Sequence, residues 1–194
     1  PTLHTLSRMR EEASDESLMQ EYRSGDVGAF EILYSRHKGN LFRYLLRQCG
    51  NAAIAEELFQ DVWMKLIGAR EHYEVRARFT TWLYQMARNH YIDYYRRHKI
   101  TGALDATAGD CDPEEVPVSS REQPEHLAEV REQTDILMQL VDQLPEDQRE
   151  AFVLREEGGL SVEEIAAVTG VKPETAKSRL RYAVNKLRAG LTKK

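Results

Sequence analysis

A chain of 194 residues (22.4 kDa) has room for one domain of ordinary size or two small ones, and 41% hydrophobic residues, 30% charged residues and a mean hydropathy of −0.60 suit a soluble protein. No apolar run approaches the roughly 18 residues that would span a bilayer. Pro1 to Glu12 carries Arg8 and Arg10 but no apolar stretch, and Cys49 and Cys111 show no metal-type spacing, so a cytoplasmic protein with two free thiols is expected.

The net charge of −5 hides an uneven distribution: −2 over residues 1–72, +4 over 73–104, −14 over 105–171 and +7 over 172–194. Two basic blocks around an acidic stretch suggest two separate contacts with a polyanion, nucleic acid first among them.

The spacing of apolar residues is helical throughout the first half, and nothing alternates with the period of a strand. A first helix is predicted from about Asp15 to Arg23, stopping at Gly25. A second carries Phe30, Leu33, Tyr34, His37, Leu41, Tyr44 and Leu45 on one stripe and ends at Gly50, a left-handed cap. A third follows Asn51, buries Ala55, Leu58, Phe59, Val62 and Leu66, and ends at Gly68. A fourth spans about Thr81 to His98 with Leu83, Met86, Ala87, His90 and Tyr94 inward. Pro113, Pro117 and Pro124 then fall in Asp105 to Glu125, which has seven acidic residues and the composition of a linker. Beyond it come a helix with Ile136, Leu137, Leu140 and Val141, and one with Phe152, Val153 and Leu154 that stops at Gly158 and Gly159. A third opens on the capping box Ser161 and Glu164. After Thr169-Gly170-Val171 the last helix starts near Pro173 and runs toward Gly190. The fold class is therefore all-α, with two small helical domains joined by an acidic linker.

Ser161 to Tyr182 has helix-turn-helix spacing: small Ala166 allows close approach, Gly170 supplies a positive φ, and Val171 and Leu180 pack one helix on the other. The second helix would present Lys172, Glu174, Thr175, Lys177, Ser178 and Arg181 to a major groove, with Lys177, Ser178 and Arg181 as base readers. The plainer alternative is an αα-hairpin with a solvated basic face. Residues 73–99 concentrate Tyr73, Phe79, Trp82, Tyr84, Tyr91, Tyr94 and Tyr95 beside six Arg and Lys. So many rings cannot all face one small core, and exposed ones would stack unpaired bases while Arg88, Arg96 and Arg97 neutralise phosphates. For Trp82 or Phe79 taken singly, core packing explains the residue equally well. Enzyme and cofactor motifs are missing, and His90 with Asp93, spaced to seed a metal site, reads better as a buried, hydrogen-bonded histidine.

Gly25-Asp26 with Ala29-Phe30, the string Ala55 to Trp63, the segment Phe79 to Arg97 with Trp82-Leu83-Tyr84, Ala87-Arg88-Asn89 and Asp93-Tyr94, then Leu144 to Arg149 and the helix-turn-helix, resemble in order the bacterial RNA polymerase sigma factors of extracytoplasmic-function type. The resemblance implies residues 1–14 as a tail, 15–99 as region 2, 100–128 as the linker and 129–194 as region 4. Gln60, Asp61 and an exposed edge of Trp63 would bind core RNA polymerase. Tyr73, Trp82, Tyr84, Arg88, Asn89, Arg96 and Arg97 would take the melted minus-ten element, and Lys172, Glu174, Thr175, Lys177, Ser178 and Arg181 the minus-thirty-five element. It further implies promoter DNA and an anti-sigma factor as partners, the latter able to hold the protein at the inner membrane, with no catalysis, cofactor or metal. Two competing readings are a stand-alone helix-turn-helix regulator and a metal-dependent helical hydrolase built on His90 and Asp93.

Overall fold

A computed structural model describes residues 12–100 and 136–192; Cys111, the proline-bearing linker and most of the 1–14 tail lie outside them. The described residues are helical, with no strand among them. None of their helices is long and apolar enough to cross a membrane.

The first four helices are α1 (Asp15–Arg23), α2 (Val27–Cys49), α3 (Ala52–Ala69) and α4 (Phe79–Ile100). Their starts are dictated locally. Oxygens of Ser14, Asp26 and Asn51 accept from backbone N–H groups of Ser17, Gly28 and Ile54 at 3.2, 2.9 and 3.1 Å, satisfying donors that a helix leaves orphaned. Gly50 closes α2 at φ 62°. The start of α4 is capped from afar: the backbone N–H of Phe79 donates to the Glu16 carboxylate of α1 at 2.7 Å. Leu18, Met19, Leu33, Leu41, Leu45, Leu58, Leu66 and Leu83 fill the space between these helices.

In the second group, residues 136–142 are helical (α5), followed by α6 (Glu146–Glu156), α7 (Val162–Thr169) and α8 (Pro173–Thr192). Both bonds of the capping box at Ser161 and Glu164 are present, and Gly170 ends α7 at φ 70°. Leu154, Leu160, Ile165, Ala176 and Ala183 form the core.

One predicted helix end is corrected. Gly68 lies inside α3, which continues into a 3₁₀ turn over Arg70–His72. Gly190 lies inside α8, where a Cβ would come within 2.5 Å of a Leu140 methyl; its bare backbone lets α5 pack close. The two groups touch: α7 lies against α4, and α6 against α2.

Candidate nucleic-acid interface

The expectation that the rings of residues 73–99 cannot all face one small core is met less than the sequence suggested: none of them is fully exposed. Tyr73, Phe79, Tyr84 and Tyr94 are buried, and Trp82, Tyr91 and Tyr95 are half-buried. The bundle absorbs them because α4 crosses α2 and α3 along its length and meets α7 on its remaining side. Tyr91 and Tyr95 donate to the carbonyls of Gln48 and Cys49 at 3.1 and 3.3 Å, tying α4 to the end of α2. Tyr84 packs edge-on to Tyr44, with ring centroids 5.2 Å apart, and donates to the Glu157 carbonyl at 2.9 Å. Burial pushes its phenol well above the usual tyrosine range.

What remains open near the start of α4 is a cleft of about 660 Å³ whose walls include Arg23, His72, Tyr73, Arg76, Trp82 and Gln85. Tyr73 and Trp82 rings meet there at 5.0 Å, and the Arg23 guanidinium holds the Tyr73 carbonyl at 2.9 Å. Burial, with Glu16 and Asp15 nearby, raises the Tyr73 phenol to about 12, so it stays protonated at neutral pH. The cleft thus sets an indole face, the surface on which an unstacked base can lie, beside Arg23 and Arg76, with Glu71 and Glu74 also in its walls and Glu74 paired with Arg76. The remaining cations of α4 divide. Arg88 is paired with Glu150 at 2.8 Å, Arg96 with Asp93 at 3.0 Å, and Arg97 donates to the Asp93 carbonyl at 3.2 Å; Asn89 is exposed.

On α3, Gln60 and Asp61 are exposed, but Trp63 is not: 4% of its surface is accessible, among the rings of Phe30, Tyr34 and Phe59 at 5.8, 4.9 and 6.2 Å. Its predicted exposed edge is a core contact, because rings from α2 extend the buried stripe of α3 beyond Val62. Met64, 66% exposed, is the apolar side chain on the Gln60 face. The i, i+4 spacing of Gln60 and Met64 would have revealed it. Asp61 also accepts from Nε2 of His90 at 2.8 Å, while Nδ1 of that ring lies 2.7 Å from the Lys65 ammonium. An ammonium can only donate, so Nδ1 accepts and Nε2 carries the proton, a tautomer inferred from the bonding. Asp93 faces Arg96 instead, so the pair proposed for a hydrolase does not converge. Among the described residues no group of three or more His, Cys, Asp or Glu is arranged to hold a metal ion.

In the helix-turn-helix, Ala176, Ala183 and Leu187 turn inward. Lys172, Glu174, Thr175, Lys177 and Arg181 are exposed, and Ser178 is half-buried. The Arg181 guanidinium lies 5.2 Å from the Tyr182 ring centroid, and Arg179 is tied to Asp147 at 2.7 Å. Exposed Asn185, one turn beyond Arg181, extends the same face and was legible from its spacing.

Residues 33–100 match the family Sigma-70 region 2, and residues 134–187 match Sigma-70, region 4. RNA polymerase sigma factor CarQ of Myxococcus xanthus is 33% identical over 88% of this chain and 93% of its own. The ECF RNA polymerase sigma-E factor of Escherichia coli (strain K12) is 29% identical, covering 89% and 91%. A solved structure of the sigma factor RpoE with the anti-sigma factor NepR from Bartonella quintana shares the fold at a TM-score of 0.66 and 24% identity, over 84% of this chain and 96% of that one. A regulator built on the helix-turn-helix alone would leave the region 2 match without a role. The order of the two matches and the reach of the CarQ similarity across both place this chain in the sigma-70 family, as an extracytoplasmic-function sigma factor that directs promoter-specific transcription.

Proposed function

We propose that the chain divides this work among three surfaces. Residues 15–99 grip core RNA polymerase through Gln60, Asp61 and Met64 and capture melted minus-ten bases at Tyr73, Trp82 and the arginines of α4. Residues 129–194 read the minus-thirty-five element through Lys177, Ser178 and Arg181. Lys172, Glu174 and Thr175 border that face, residues 1–14 form a tail and 100–128 an acidic linker. The observation that carries this reading is the Trp82 cleft, where an aromatic face lies open beside Arg23 and the Arg76–Glu74 pair. The chain supplies specificity and no bond-making chemistry.

The Bartonella quintana relative binds an anti-sigma factor. A partner of that kind for this chain, holding it in the cytoplasm or at the inner membrane, belongs to the same reading, and pull-down from unstressed cells checks it.

Run-off transcription with purified core polymerase on a genomic promoter pool tests the function, and two substitutions test the sites. Trp82→Ala should weaken permanganate reactivity at the start site by roughly 5- to 150-fold and impair opening more than duplex binding, since stacking is worth about 1 to 3 kcal/mol per base. Arg181→Ala should change the minus-thirty-five sequence selected from a random pool, whereas Arg188→Ala should alter only affinity and its salt dependence. Normal opening with Trp82→Ala, or an unchanged consensus with Arg181→Ala, would overturn the corresponding assignment.

A further inference from the structure

Between the 3₁₀ turn and α4, residues 74–78 are all exposed, and the rings on either side of them, Tyr73 and Phe79, are buried. Both ends of this loop are held by α1, across sequence separations of 50 and 63 residues. Arg23, in the last turn of α1, donates to the Tyr73 carbonyl at 2.9 Å, and the Glu16 carboxylate, in its first turn, accepts from the Phe79 backbone N–H at 2.7 Å. Arg70, just ahead of the loop, adds a third tie, its guanidinium 5.5 Å from the Tyr22 ring centroid. The helix that holds the loop is itself fixed. Leu18, Met19 and Tyr22 are buried, and the Asp15 carboxylate lies 2.7 Å from the Arg36 guanidinium and 2.7 Å from Nε2 of His37, both on α2.

The loop cannot set this shape by itself. The residue ahead of Phe79 is Arg78, whose side chain has only donors and so cannot cap a helix start. Glu74 and Arg76 pair with each other, and the buried Tyr73 hydroxyl has no hydrogen-bond partner among the described residues. The Tyr73 ring is therefore located by its backbone carbonyl and by its packing on Trp82. Trp82 follows Phe79 by three residues on the same helix face, with the two rings 6.0 Å apart, so a tilt in the first turn of α4 displaces the indole. We propose that Glu16 is a positioning residue for strand capture, acting with Arg23 as a clamp on the two ends of the 73–79 loop. The clamp sets the Tyr73–Trp82 face before a base arrives, so that binding does not have to order it. Glu16 is not among the walls of the cleft and acts through Phe79. The inference rests on the Trp82 cleft being the capture site.

The test uses holoenzyme assembled from the full-length chain and purified core polymerase. Fluorescence anisotropy reads its affinity for a short fluorescein-labelled single-stranded DNA of degenerate sequence, and for a labelled duplex bearing a minus-thirty-five element alone. Glu16→Ala removes the acceptor and should weaken single-strand binding about tenfold, the size of one hydrogen bond to a charged group, with duplex binding unchanged. Glu16→Gln keeps an oxygen for the Phe79 N–H and should bind at least as tightly as the unmodified chain. A pure charge effect runs the other way, since removing an acid near a polyanion site tightens binding in both variants alike. In a Trp82→Ala background Glu16→Ala should cost nothing more, because no indole is left to position. Unchanged binding with Glu16→Ala, failure of glutamine to restore it, an equal loss on the duplex, or a full further loss in the Trp82→Ala background each overturns the clamp. If circular dichroism shows that Glu16→Ala has lost helix, Glu16→Asp, which keeps the charge but withdraws the oxygens by one methylene, must show the single-strand loss, and unchanged binding refutes the idea. Trp82→Ala alone separates the two claims. If it leaves single-strand binding unchanged, the cleft is not the capture site and the clamp falls with it, whereas a loss with Trp82→Ala and none with Glu16→Ala removes the clamp and keeps the cleft.

Discussion

The two helical groups solve opposite problems with the residues that carry their function. In α8 most side chains proposed to read DNA have no packing duty: Ala176, Ala183 and Leu187 bury one side, Glu174, Lys177 and Arg181 project from others, and Ser178 is half-buried between them. In the first group the same residue types serve twice. Trp82 lines the cleft and packs on Tyr73 and Phe79, Arg88 answers Glu150, and Asp61 is both an exposed carboxylate and the acceptor for His90. Reading and folding are therefore separable in the second group and entangled in the first.

The sharpest way to break this comparison is Trp63→Ala. Removing a nearly buried indole surrounded by three rings should cost about 3 to 5 kcal/mol, and chemical denaturation should show it; Gln60→Ala on the same helix should stay within about 0.5 kcal/mol. Equal effects would mean that the α3 surface and core are not distinct. Gly158→Ala comes next. A Cβ would sit 2.7 Å from the Leu154 carbonyl and 2.5 Å from a Leu160 methyl, and overpacking of this kind costs about 1 to 3 kcal/mol. A melting temperature equal to that of the unmodified chain would contradict the tight turn between α6 and α7.

Ser161→Ala should lower stability by about 0.5 to 2 kcal/mol through loss of the cap, while Arg181→Ala, in the same motif, should leave the denaturation midpoint unchanged. The smallest effect concerns acid. Burial raises the Glu164 carboxyl, but bonds from the Ser161 backbone and the Thr81 hydroxyl, with the Arg78 charge, outweigh it and hold it below its ordinary 4.5. A depressed carboxyl contributes stability above its unfolded value and loses it as pH falls through the folded one. The contact of α7 with α4 should therefore weaken below about pH 4.5, read as a rise in radius of gyration before helix content falls. Glu164→Gln should abolish that early step.

Much of the fold was legible because its causes are local. Asn51, Gly50, Ser161 and Gly170 act on backbone within four residues, so caps and turns could be placed from residue types alone. The helix-turn-helix face was legible for the same reason: an isolated amphipathic helix has one inward side, fixed by period. The aromatic block was not, since whether a ring is stacking surface or core depends on how many neighbours its helix acquires.

The sequence by itself determined the helices, the order of the two units and the charge that suits each to nucleic acid, all set by residues within a turn or two of one another. Only the tertiary structure decided that Trp63 is core while Met64 is surface, that Glu16 caps α4, that His90 bridges Asp61 and Lys65, and that the 150–164 acids face Arg43, Arg78 and Arg88. Each of these depends on segments far apart in the chain meeting across an interface. Helical periodicity gives the side of a helix that is buried, but the partner across the interface follows from how the helices cross, which no local pattern records.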